Sequence, residues 1–477
     1  MKKYKYITVA IITIVMAAGS SCKKALDINA SPNSPTDVPI TQLYNGASVN
    51  VGFTGGSDLF RYAALISQQL SGQTTGALTQ TQQYEQYLIT GSDANNLWNS
   101  LFTGTLTNLN IIISKAQASG SPHFSGVAKL LEAYTYQCMV DTWGKIPYTE
   151  ALQQVANINP HYDSDAAIYA SLFTLIDAGI ADVNQATSTI EVPSGSPLYP
   201  GAFSGAKWTK FGNTLKLRML LHMLKLDPAG TTTKMNALIA SGTFFGANAD
   251  NFSGTFLATP GAQNPIYQFE TGSRVGYLVA NKTIITLMNN KQDPRRPFFF
   301  TDFPVGSGTY VGAVGGATAS QNYSHIGTYL KGASGEAPIR MLTFAEYNFI
   351  RAEAALRLGV TGSAQAFYSA GITASMTDAG VSAANQATYL TLNGTLVGTP
   401  AQQLQQIIEE KFVANFGVVL EPWTDYRRTG YPVITPPANA IFTTVPRSLF
   451  YPQSEIDVNA NAVQKPDLSV RVFWDVP

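Results

Sequence analysis

Chemistry in this chain would have to come from a few clusters of side chains. The densest is Glu421, Trp423, Asp425, Tyr426, Arg427, Arg428 and Tyr431. Two adjacent arginines among rings and carboxylates can clamp an anion, or they can form ion pairs and stack on aromatics. Structural ion-pair networks imitate sites of this kind, so pairing with Glu421, Asp425 or helix ends is the expected role. Asp141 and Glu150 are carboxylates of the type a glycosidase uses, but turn and capping roles suit their context better. None of His123, His161, His222 and His325 has a second His or Cys at ligand spacing, so no metal site is expected. Nucleophile-elbow, zinc-protease and phosphate-loop patterns are missing, and the chain reads as a non-enzyme that needs no cofactor. A hydrolase with two unmarked carboxylates stays open beside that reading.

Five tyrosines remain: Tyr84, Tyr87, Tyr277, Tyr310 and Tyr323 lie among Gln, Thr, Ser, Asn and Gly, outside the strong helical patterns. A tyrosine ring offers a flat apolar face with few rotatable bonds, and such neighbours supply donors and acceptors, which together suit a sugar. These five are the candidate ligand-binding residues, with packing in the core as the alternative for each.

Composition points the same way. Charged residues make up 13% of the 477-residue chain, about half the usual ~25%. Thirty basic residues balance thirty acidic ones, which argues against a nucleic-acid partner. A neutral polar surface suits an uncharged ligand, whose binding should be nearly flat between about pH 6 and 8 and insensitive to salt.

Lys2, Lys3 and Lys5 precede an apolar run from Ile7 to Ala18, too short for a membrane span of ~20 residues. Ala18-Gly19-Ser20-Ser21-Cys22 then resembles a lipobox, with Gly19 where Leu is usual. Residues 1–21 are thus expected to be a signal peptide and Cys22 an acylated (palmitate-type) anchor. Residues 22–39, with Pro32, Pro35 and Pro39, read as an extended tether. No run in the mature chain reads as a span. Cys138, in an apolar helical pattern, is expected in the core.

Periodicity predicts helices over 98–116, 127–139, 166–183, 208–226, 344–358 and 363–378. Another starts at the Thr399-Pro400 cap and stops at Gly417. Thr343 and Glu346 form a capping-box pattern, and Gly359 a stop. Residues 242–340 lose this periodicity, with a helix expected only near 277–290.

Several of these runs resemble one family, the SusD/RagB-like nutrient-binding outer-membrane lipoproteins of Bacteroidetes. The runs are Asp141-Thr142-Trp143-Gly144-Lys145-Ile146-Pro147-Tyr148, the W-x-K-F-x-N-x-L-x-L-R pattern from Trp208 to Arg218, and Asp293-Pro294-Arg295. Ala352-Glu353-Ala354-Ala355-Leu356-Arg357, Arg427-Arg428-Thr429-Gly430-Tyr431-Pro432 and the P-R-x-x-x-Y-P-x-x-E-x-x-x-N run from Pro446 complete the set. The resemblance implies a mainly α fold of tetratricopeptide-like helix pairs (an α-α superhelix) over residues 40–477, with a loop-rich part at about 242–340 packed on them. It also implies an outer-membrane lipoprotein facing the cell exterior. Such a protein binds nutrients, mostly oligosaccharides, and hands them as a lid to a SusC-like TonB-dependent β-barrel transporter. A peptide-binding lid and a helical scaffold without a small ligand are the alternatives.

Overall fold

Pairs of helices carry most of the chain. The computed structural model describes residues 37–73, 77–272, 274–316 and 322–477; the signal segment, Cys22 and most of the tether fall outside them. Residues 43–477 form one unit. Within it α1 (Thr107–Ser119) turns at Gly120 and packs on α2 (Pro122–Trp143), and α2 packs on α3 (Asp165–Val183). Helix α3 leans on α4 (Gly205–His222), which is followed by α5 (Pro228–Ser241). A second pair, α6 (Phe344–Leu358) and α7 (Ala364–Asp378), packs on α8 (Pro400–Ala414), which leads into α9 (Glu421–Thr429).

The starts and stops follow local chemistry. The Thr399 hydroxyl and the Gln402 side chain make the reciprocal cap of α8. Gly359 closes α6 at φ 64°, a left-handed conformation that favours glycine. At the start of α6 only half of the expected capping box forms. Thr343 accepts the Glu346 N–H, but the Glu346 carboxylate turns inward to Arg218. Asp227-Pro228, which reads as a helix stop, is the N-cap and first position of α5.

By length and composition α3 could cross a membrane, contrary to the reading that no mature segment could; here it is packed between α2 and α4. Residues 242–340 hold short elements only. Strand β2 (Phe252–Gly254) pairs antiparallel with β4 (Ile339–Leu342), and β1 (Leu70–Gly72) pairs antiparallel with β3 (Leu278–Ala280). The expected helix at 277–290 is β3 followed by a helix over Lys282–Asn290, started by the Asn281 side chain.

Candidate functional site

The arginine cluster is structural. Arg428 lies buried and grips both Glu353 oxygens at 3.0 and 2.9 Å, and Asp425 at 2.6 Å. These bonds hold the Glu353 carboxyl down at about 2 against its burial, with Arg357 assisting. Arg427 has no direct carboxylate partner among the described residues. It donates to the carbonyls of Asp141 (2.6 Å) and Arg447 (2.8 Å) and lies 3.9 Å over the Trp423 ring. Burial pulls its pKa down to about 10. Glu421, the expected arginine partner, faces Arg218 and His222 instead.

Asp141, His222 and Glu421 bring their ligand-type atoms within 4.8 Å of one another. The residues are far apart in sequence, so spacing gave no sign of this. By type they could hold a metal ion, yet protein donors already occupy them. Trp474 Nε1 and the Tyr169 hydroxyl donate to Asp141, and Arg218 pairs with Glu421. Burial alone would lower the His222 pKa, but the two facing carboxylates outweigh it and raise it. Glu150 lies elsewhere in character, accepting from His161 near the surface. No acid–base pair of the glycosidase kind is formed by Asp141, which is fully enclosed.

The β1–β3 ribbon is the centre of a different region. Gly72 of β1 abuts the helix at Gln80–Glu85 so closely that a Cβ would meet Gln82 N at 2.3 Å. The Tyr277 carbonyl accepts from Gln73 N (2.9 Å) and Thr81 Oγ1 (3.0 Å). Val279 bridges to His325, Asn281 bridges to Ala313, and Val311 and Ser324 bond to each other. Tyr277, Tyr310 and Tyr323 are therefore carried by three chain segments knitted onto one ribbon, and each is half-buried. The Arg296 guanidinium lies 5.3 Å from the Tyr310 ring centre.

Tyr84 and Tyr87 differ. Both are buried at 1% and 0% exposure, and Tyr84 stacks on Tyr62 at 4.6 Å. A ring enclosed on both faces cannot receive a sugar, so these two are core residues beneath the ribbon. Their polar neighbours misled because Thr81 and Gln82 are buried as well.

Beside the ribbon runs a cleft of about 740 Å³. Asn281 and Gly315 line it near the ribbon, Thr286 one side, Gln405 and Glu409 of α8 another, and Pro432–Pro437 a further one. Sequence reading missed these residues because they come from separate segments, each unremarkable alone. Two buried carboxyls support the ribbon. Glu85 accepts from Gly72 N at 3.3 Å, and Glu270 from Leu278 N at 3.2 Å. Burial raises each to about 7.

Comparisons with known proteins bear on the fold and the family. No curated protein matches the chain significantly. Among solved structures, a chitin-binding SusD homologue from Flavobacterium johnsoniae is 24% identical, with TM-score 0.75 over 92% of this chain and 98% of its own. A SusD homologue from Bacteroides uniformis (20% identity, TM-score 0.79) and a SusD-like protein from Bacteroides thetaiotaomicron (23%, 0.76) also cover 92% of this chain, matching over 100% and 99% of their own lengths. These show the fold, mainly helical and SusD-like. Residues 32–452 match the family model described as starch-binding, associating with the outer membrane, and the chain belongs to that SusD-like family.

Proposed function

We propose that this protein is an outer-membrane lipoprotein, anchored through Cys22 and facing the cell exterior. It binds oligosaccharides and passes them, as a lid, to a SusC-like TonB-dependent β-barrel transporter. The family match supports a nutrient-binding role tied to the outer membrane. The observation that carries the sugar reading is the placement of half-buried Tyr277, Tyr310 and Tyr323 on segments of one ribbon, whose Asn281 end borders a cleft lined by glutamines, threonines and prolines together with Lys282 and Glu409. Half-exposed rings supply stacking faces, and amides and hydroxyls supply directional bonds. Glycan-array screening followed by calorimetry on the Tyr277→Ala, Tyr310→Ala and Tyr323→Ala variants tests this. Loss of affinity in at least one variant, with unchanged folding, is expected. Full affinity in all three refutes the placement, and a steep fall of affinity with salt turns the reading toward peptides.

A further inference from the structure

A second recess lies away from the tyrosine ribbon, where the Trp143–Lys145 turn, the start of α3 and the C-terminal segment meet. It encloses about 440 Å³. Its walls are aromatic: Tyr162 and Phe473 are half-buried, and Tyr451 meets Tyr162 edge-on at 5.0 Å. At its base is Lys465, 9% exposed.

The surroundings of Lys465 are unusual for a buried ammonium. Its Nζ donates to Ser448 Oγ at 2.8 Å and to the Leu449 carbonyl at 2.7 Å, and sits 4.8 Å over the Tyr451 ring. All three partners are neutral. Among the described residues no carboxylate lies within ion-pairing distance of this nitrogen. Asp165 is the nearby acid, beyond direct pairing distance; its oxygens accept the N–H groups of Phe473 (2.8 Å) and Ala166 (3.2 Å) and its charge still acts on Lys465. Two more cations line the recess. Lys145 is exposed and its ammonium has no carboxylate partner among the described residues, while Arg471 shares Asp475 with Arg447. The recess therefore combines ring faces with three basic side chains, Lys145, Lys465 and Arg471, against one lining carboxylate, Asp165. A buried cation without a counter-charge is costly, and an anion placed beside it recovers much of that cost.

We infer that this recess is a binding site for an anionic sugar ring, a uronate or sulfated hexose, whose charged group pairs with Lys465 while its apolar face lies against Tyr162 and Phe473. The site is separate from the tyrosine ribbon and does not depend on the sugar reading given for it. Burial, with Arg427 adding to it, pushes the Lys465 ammonium well below its ordinary range. An anion beside Nζ acts in the opposite direction and favours the charged form.

Calorimetry on the full-length protein with methyl β-D-glucuronide and methyl β-D-glucoside tests this, because the two differ only at C6. The glucuronide should bind at least about tenfold more tightly. Lys465→Met keeps the volume and removes the buried charge, so its melting temperature should hold or rise while glucuronide binding falls to the level of the glucoside. Tyr162→Ala should weaken binding of the glucuronide, and Tyr277→Ala should leave it unchanged. Equal affinity for the two glycosides, no binding of either, or full glucuronide binding in a folded Lys465→Met variant would overturn the assignment. Loss of glucuronide binding in Tyr277→Ala would also overturn it, by moving the ligand to the ribbon.

Discussion

Removing Arg428 should damage the fold more than it damages binding. Its guanidinium makes two bonds to Glu353 and one to Asp425, and all three groups are almost wholly buried. Arg428 is the leading attractive partner that keeps Glu353 ionised, with its carboxyl at about 2 rather than the ordinary 4.5. That difference is worth on the order of 3 kcal/mol at neutral pH. Arg428→Ala forfeits most of it and leaves Glu353 with Arg357 and Asp425 with Lys411 as their remaining cationic partners. Breaking a buried pair by removing one partner costs about 3–5 kcal/mol. The sign of the pH dependence follows from the depressed carboxyl. Its contribution is full above about 4.5 and is lost as pH falls through about 2, so the wild type loses this stabilisation on acidification and the variant has little of it to lose.

Guanidinium denaturation of wild type, Arg428→Ala, Glu353→Gln and the double variant measures this directly. The double variant should lose less than the sum of the singles, because Gln leaves no charge stranded. Additive losses, or an Arg428→Ala variant with an unchanged midpoint and abolished ligand binding, would refute the structural role.

Tyr84→Ala should lower stability by about 3–5 kcal/mol, as for a large buried aromatic, while per-molecule glycan affinity, measured by calorimetry on the folded fraction, should change little. Tyr277→Ala should show the reverse. Glu85 and Glu270, held near 7 by burial, stabilise the ribbon fully below about 4.5 and progressively less as pH rises through about 7. Amide exchange at Gly72 and Leu278, corrected for intrinsic rates, should therefore accelerate between about pH 5 and 8. Glycan affinity should decline over the same interval, replacing the flat profile that composition suggests. Glu85→Gln should flatten the Gly72 response. Cys22→Ala should release the protein from the outer-membrane fraction, and its retention there after high-salt washing would defeat the lipid anchor.

Much of the scaffold was legible because its signals are local. Thr343 and Gly359 bound α6, and Thr399 with Pro400 starts α8, as their side chains require. Helix α9 was not legible: Pro422 and a run of charged residues hid a helix that is buried nearly all round, its charged Glu421, Asp425, Arg427 and Arg428 included. Helix α5 was missed because Asp-Pro serves equally as a stop and as a start. The tyrosines were separable into core and surface only by tertiary packing, since Tyr84 and Tyr277 share the same kind of polar surroundings in sequence. Neither recess announced itself, because each is assembled from segments hundreds of residues apart.

Four of the recognisable motifs, those holding Asp141, Arg218, Glu353 and Arg428, turn out to be parts of one lock. Asp141 of α2, Arg218 of α4, Glu346 and Glu353 of α6, Lys411 of α8, and Glu421, Asp425 and Arg428 of α9 are joined through buried ion pairs, bridged by His222. A chain with few charges thus concentrates many of them inside, where each tie fixes one helix against another. Removing one partner there strands another, so such residues are hard to vary singly. In the proposed site the half-buried rings of Tyr277, Tyr310 and Tyr323 form none of these ion pairs, so on that reading each can be exchanged without stranding a buried charge. That is why the sequence identifies the scaffold so readily and the ligand so poorly. It also explains why Lys465 stands out. It is buried like a member of the lock, but among the described residues no carboxylate pairs with it directly, and on the proposed reading an anionic ligand completes the pair.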